Sequence, residues 1–355
     1  MADALGASID LLLRGGCLGL LLLVGLRLTA PPPTASKRLC LLLLLSIAGY
    51  LLAGSSLLPA LPWPLQASLI LLATIAPACF WLFAQALFDD AFTWRGYLWL
   101  PLLALAGLSV LMQWGGLPWL SVAQLVVVQN VLAGGLICHV LWLIWRGQGA
   151  DLLEQRRHLR LWLGPGVGMY ILLVLLVELG YGENPEPPWL ERLNLVGIGV
   201  VTLWLSLRLE ALQALLSPAE ACAATPVSTA AVAEPVLAAE EQAALQRLQR
   251  AMDEEQLWAR ANLTLADLAS HLGMPDYRLR QLINGGLGQR NFNSYLNQFR
   301  IAAACAQLAD PARRRLPILT IALDVGFASI GPFNRAFKAQ QGVTPSEFRQ
   351  NTLAE

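Results

Sequence analysis

The stretch ILTIALDVGFASIGPFNRAFKAQQG, residues 318–342, decides how the second half of the chain folds. Ile318, Ile321, Ala322 and Val325 recur at helical spacing and form one apolar stripe. Gly326 ends it, as a residue suited to a left-handed C-cap. Ser329 is then placed to cap a second helix, on which Phe333 and Phe337 face inward while Gly331, Asn334, Arg335 and Lys338 share the outer side. The pattern also stands about 54 residues earlier, in LTLADLASHLGMPDYRLRQLIN, residues 263–284. There Leu265, Leu268, Ala269 and Leu272 make the stripe, Gly273 ends it, and Pro275 sits at a first helical position, where its missing N–H costs nothing. The next helix turns Leu279, Leu282 and Ile283 inward and carries Tyr277, Arg280, Gln281 and Asn284 on its opposite face. A short helix, a Gly turn and a second helix with a hydrogen-bonding outer face describe a helix-turn-helix. Two such units, near 263–284 and 317–340, are joined by a helix expected from Asn293 to Leu308. They predict one all-helical domain that offers two reading helices to successive turns of a major groove.

At these residues the sequence resembles the AraC/XylS family of bacterial transcription regulators. The resemblance covers roughly Leu245 to Arg349 and is strongest over IALDVGFASIGPFNRAFKAQQGVTPSEFR, residues 321–349. It implies an all-helical domain with double-stranded promoter DNA as its partner, often bound as a homodimer, and RNA polymerase as a further partner. By the family motif, Tyr277, Arg280 and Gln281 fall at base-reading positions of the first unit, and Asn334 and Arg335 at those of the second. Arg278, Asn284, Ser329 and Lys338 complete the expected DNA-binding set. Two departures stand out. Met274 occupies a position where the family usually has a capping Ser or Thr, a loss worth about 1 kcal/mol, which Asp276 in the first turn partly offsets through the helix dipole. In the second unit Ile330, Gly331 and Pro332 offer no side-chain hydrogen bond to a base. The expectation is therefore that Arg280 and Gln281 supply most sequence discrimination at base edges, while Lys338 holds the second unit on phosphate.

Charge agrees with that assignment. From Asn262 to Gln350 ten basic residues face five acidic ones, although the whole chain of 355 residues has a formal net charge of zero. A polyanionic partner is expected for that part alone.

The rest of the chain is of another physical class. The sequence is 56% hydrophobic and only 14% charged, against about a quarter charged in ordinary soluble domains, and the excess apolarity lies between Ile9 and Leu216. A run of about 20 apolar residues crosses a bilayer as a helix because no backbone polar group is then left without a partner in lipid. Seven such spans are predicted: Ile9 to Leu28, Leu39 to Leu58, Gln66 to Phe88, Tyr97 to Trp114, Trp119 to Trp145, Leu159 to Tyr181 and Trp189 to Leu209. Basic residues follow the first, third, fifth and seventh of these (Lys37 and Arg38; Arg95; Arg146, Arg156, Arg157 and Arg160; Arg208), and among the alternate connections only Arg192 occurs. By the positive-inside rule the N-terminus is outside and the C-terminal domain cytoplasmic, which places the protein in a bacterial inner membrane. Arg14 is the exception, with Asp10 one helical turn before it as a ready partner. The fold class expected is thus all-α: a seven-helix transmembrane domain over 1–212, a flexible linker over 213–239 rich in Ala and Pro, and a DNA-binding domain over 240–355. The latter opens on an amphipathic helix with Leu245, Leu248 and Met252.

Polar side chains inside the spans are candidates for a signal-binding site, since such groups usually face a bundle interior. Gln129, Asn130, His139 and Glu178 lead this set, with Gln85, Gln124 and Asn194 beside them, although Asn130 and His139 point to opposite sides of the fifth helix. Interhelical hydrogen bonding is the competing reading. The six cysteines are scattered without metal-ligand spacing, and no cofactor is expected. No H-E-x-x-H, G-x-S-x-G or phosphate-binding glycine loop is present, so an enzyme is not expected. Two readings of the front half remain open: a sensor of a membrane or extracytoplasmic signal, or a transporter-like or inert anchor. The partners expected there are membrane lipid and an unidentified signal ligand.

Overall fold

The computed structural model describes residues 2–31, 33–88, 92–117, 119–147, 151–152, 164–181, 188–207, 235–289 and 291–354. The chain divides into two compact units, one of Met1–Arg146 with His158–Ala224 and the other of Gly147–Arg157 with Thr225–Glu355.

The first unit contains α1 (Ala2–Leu28), α2 (Ala35–Ala53), α3 (Trp63–Phe88), α4 (Leu100–Gln113, entered through a 3-10 turn at Gly96–Trp99), α5 (Val122–Gly147), α6 (Gly164–Tyr181) and α7 (Pro188–Leu207). Six helices among the described residues are long and apolar enough to cross a membrane, by length and composition, and α6 holds a shorter apolar stretch at Pro165–Val177. The expected start of that span at Leu159 lies outside the described residues. So do Arg156, Arg157, Arg160 and Arg208. Where ends are described they follow the local chemistry. The second helix starts at Ala35, earlier than expected, because the Thr34 hydroxyl accepts the N–H of Lys37 at 3.2 Å and caps it.

Helix α2 packs on α3, α3 on α4, and α1 on both α2 and α7. Their shared interior is built from Leu21, Val24, Leu44, Leu51, Leu82 and Ile137 among others. Many large apolar side chains instead face outward, including Leu12, Leu22, Leu103, Val131, Leu173 and Leu203. In water such a surface would be an aggregation hazard; in hydrocarbon it carries no penalty, which fits the composition of the segment.

The second unit contains α8 (Pro235–Asp253), α9 (Leu265–His271), α10 (Asp276–Gln281), a π-helical turn (Leu282–Gly286), α11 (Phe292–Ala309), α12 (Ile318–Asp324), α13 (Ile330–Gln341) and α14 (Pro345–Ala354). Its plan follows from α11, which is capped by the Asn291 side chain accepting from Asn293 and Ser294 N–H. Phe292, Tyr295 and Leu296 on its first turns enter one core with Leu248, Met252, Leu268 and Leu279. Ile301, Ala304 and Leu308 further along enter a second core with Ile321, Val325, Phe333 and Phe337. One helix thus strings together two half-domains, each with its own apolar centre. Arg300 staples the junction. Its guanidinium donates to the main-chain oxygens of Trp258 (2.7 Å) and Arg260 (3.0 Å) and lies over the Phe327 ring. The linker expected over 213–239 lies outside the described residues as far as 234, and α8 begins at Pro235.

Candidate nucleic-acid interface

Helix α9 opens with a reciprocal cap: the Thr264 hydroxyl accepts from the Asp267 N–H, and the Asp267 carboxylate accepts from the Thr264 N–H. The Thr264 hydroxyl, which also donates to that carboxylate at 2.6 Å, and then the Thr264 N–H hold the Asp267 carboxyl below its usual range. The turn after it uses Gly273 at φ +65. Helix α10 begins one residue later than expected, at Asp276, so that Pro275 is its N-cap and Met274 precedes the cap. The cap position still lacks a hydrogen-bonding side chain, for a different residue than the sequence indicated.

On α10 Leu279 is fully buried, and Leu282 and Ile283 join it in the first core, as expected. Tyr277, Arg278 and Gln281 are exposed and Asn284 is half-buried. Arg278 pairs with Glu240 of α8 at 3.0 Å. Arg280 departs from the expectation of an exposed face. It is only 8% exposed, because its guanidinium donates to the main-chain oxygen of Asp151 at 2.5 Å. Asp151 also forms an antiparallel backbone bridge with Asn291, and the neighbouring Leu152 is a member of the first core.

In the second turn unit the outward side of α13 is exposed. Its turn carries Gly326 at φ +88, where a Cβ would come within 2.7 Å of the Ala259 oxygen, so the position requires glycine twice over. Phe333 and Phe337 are completely buried and pack on Phe327 and Phe348. Asn334, Arg335 and Lys338 all point to solvent from α13. Ser329 occupies the N-cap position as predicted, yet its side chain makes no cap hydrogen bond. Helix α14 begins with Thr344 and Glu347 in mutual hydrogen bonds, which hold the Glu347 carboxyl below its usual range.

The four leading polar residues of the first unit are not brought together. Asn130 is buried, and among the described residues neither of its amide atoms has a partner. The buried Gln129 oxygen likewise lacks one. His139 lies on the outer surface of α5, accepting from Trp81 Nε1 at 3.1 Å, with its ring tilted against that of Trp142. Glu178 lies on α6 with its side chain outside the described residues. The pairing expected for Arg14 is present, with Asp10 at 2.8 Å, and Glu191 at 2.5 Å is a second partner on α7. Asn194, one of the further candidates, joins two tyrosines that the sequence did not single out: it donates to the Tyr50 hydroxyl at 2.7 Å, and Tyr170 donates to the Asn194 main-chain oxygen at 2.9 Å. Both tyrosines stand within apolar runs, and Asn194 was the signal that the sequence offered.

No curated protein and no solved structure matches the chain. A family model described as a helix-turn-helix domain matches residues 268–351, from within α9 to within α14, and so spans both turn units and the long helix between them. In its C-terminal part the chain is therefore similar to helix-turn-helix domains of the AraC type, and this similarity supports a DNA-binding regulator.

Proposed function

We propose that this protein is a one-component transcriptional regulator held in the bacterial cytoplasmic membrane, whose cytoplasmic C-terminal domain binds promoter DNA sequence-specifically in response to a membrane or extracytoplasmic signal. The observation that carries the reading is the second turn unit, where Asn334, Arg335 and Lys338 stand exposed on a helix fixed from behind by Phe333 and Phe337. Amide and guanidinium groups suit base edges, and the ammonium suits phosphate. Tyr277 and Gln281 present the corresponding groups of the first unit. Arg280 contributes once its contact with Asp151 is released.

The six long apolar helices support the membrane assignment, and the alternation of Lys and Arg supports a cytoplasmic C-terminus. A signal shifts the bundle only by binding two of its states with different affinity. Association of two chains is the simplest coupling element, because it raises the effective concentration of the second DNA-binding domain. The test is to map genomic sites occupied by the full-length protein in cells, beside a chimera in which an unrelated anchor replaces residues 1–212. Occupancy at a defined set of promoters is expected, with regulation lost in the chimera. Unchanged regulation in the chimera makes the bundle an inert anchor, and absence of discrete sites refutes sequence-specific binding.

A further inference from the structure

A cavity of about 620 Å³ runs through the helices of the first unit, a size typical of ligand sites. Its lining on α3 extends from Ile70 to Phe88. At 1.5 Å per residue those positions are about 27 Å apart, close to the thickness of a bilayer's hydrocarbon core. A modest volume drawn out over that length suits an extended chain and not a compact molecule. Phe80, Phe83, Leu87, Phe88 and Leu205 give it a run of apolar wall.

The polar side chains of the lining restrict the head group. Arg14 and Glu191 are the charged ones, and they neutralise one another: Arg14 donates to Glu191, to Asp10 and to the Leu51 main-chain oxygen. An anionic head would meet two carboxylates around a guanidinium already engaged, and a cationic head would compete with that guanidinium for them. The hydroxyls of Thr74 and Thr202 donate back to their own helices. The Tyr50, Tyr170 and Asn194 side chains of the lining are engaged with one another. The Gln129 oxygen is buried there with no partner among the described residues. Pro77, inside α3, has no N–H to offer the carbonyl of Ala73, and both residues line the cavity.

We infer that this cavity is a binding site for an uncharged, single-chain amphiphile whose head carries a hydroxyl or amide donor, the donor engaging Gln129 and the chain lying between α3 and α7. The inference rests on the reading of the first unit as membrane-embedded and names the chemical class of the signal that reading leaves open.

The test uses the full chain in phosphatidylcholine nanodiscs with three photoactivatable probes of equal length: a long-chain alcohol, the matching fatty acid and the matching alkyltrimethylammonium. The alcohol is expected to crosslink to peptides of α3, α5 and α7 and to be displaced by unlabelled alcohol, while the two charged probes label weakly. Gln129→Leu is expected to lower labelling by about five-fold, the scale of one net hydrogen bond, and Ala133→Phe, which fills the lumen, to abolish it. Equal labelling by all three probes, or labelling indifferent to both substitutions, overturns the inference. Retention in membranes after an alkaline carbonate wash reads the membrane assignment separately. A chain that stays in the membrane but ignores the head group refutes this site alone, whereas a chain released by the wash refutes the membrane reading as well.

Discussion

Arg280 Nη1 donates to the main-chain oxygen of Asp151 at 2.5 Å, and Leu152 next to it is 2% exposed in the core of the first turn unit. The side chain that the family motif assigns to base reading is thus covered by two residues of the same compact unit. Leu152→Asp is expected to expel this segment, because a carboxylate in that apolar core would lack a partner. Affinity of the full chain for its preferred duplex should rise about ten-fold, the scale of one hydrogen bond to a charged group. The gain should vanish when Arg280→Ala is added. Fluorescence anisotropy on the single and double variants checks this, and an affinity that Leu152→Asp leaves unchanged contradicts it.

Phosphate and base contacts separate by their salt and sequence dependence. Lys338→Ala should weaken binding to all duplexes alike and reduce the slope of log affinity against log salt by about one. Asn334→Ala and Arg335→Ala should each cost about 1–3 kcal/mol on the preferred site and far less on unrelated DNA. Titrations on matched and scrambled duplexes distinguish the two behaviours.

Gly326 fixes the angle between α12 and α13. With φ at +88 and the Ala259 oxygen 2.7 Å from a Cβ built there, Gly326→Ala combines a left-handed penalty of about 1–2 kcal/mol with an overpacking cost of about 1–3 kcal/mol. Phe333→Ala should destabilise the same half-domain by about 3–5 kcal/mol through a core cavity. Hydrogen exchange of the full chain should show protection lost first in α12 to α14 for both variants, with the core around Leu248 and Leu279 retained.

Asp267 and Glu347 impose a pH dependence with a defined sign. Both carboxyls titrate below their usual range when folded, Asp267 through the Thr264 hydroxyl and N–H and Glu347 through the Thr344 N–H and hydroxyl. Their contribution is therefore complete above the ordinary carboxylate range and is lost as pH falls through the depressed folded values. Neutral and alkaline stability should be flat in these groups, with a decline on acidification. Thr264→Val and Thr344→Val should each lower neutral stability and flatten the acid limb of a denaturant series.

The apolar stripes of both turn units, their glycine turns and the inward Phe333 and Phe337 were legible in the sequence because helical periodicity records which face is buried. The spans were legible for a similar reason, length and apolarity being what a bilayer demands. Long-range pairings were not. Arg280 meets a residue 129 positions away and Arg14 one 177 positions away, and no local pattern encodes such partners. The placement of Pro275 missed by one residue, since a proline suits both the cap and the first helical position. The cluster of Tyr50, Tyr170 and Asn194 depends on three helices converging, which composition does not report.

Equilibrium binding of duplex DNA to the full-length protein in nanodiscs, followed from low to high salt, tests the central claim most directly. Log affinity should fall linearly with log salt, with a slope near −0.9 for each phosphate engaged, and Asn334→Ala with Arg335→Ala should remove the preference for the promoter sequence. Binding that is absent at low salt, or indifferent to salt and to both substitutions, contradicts the account.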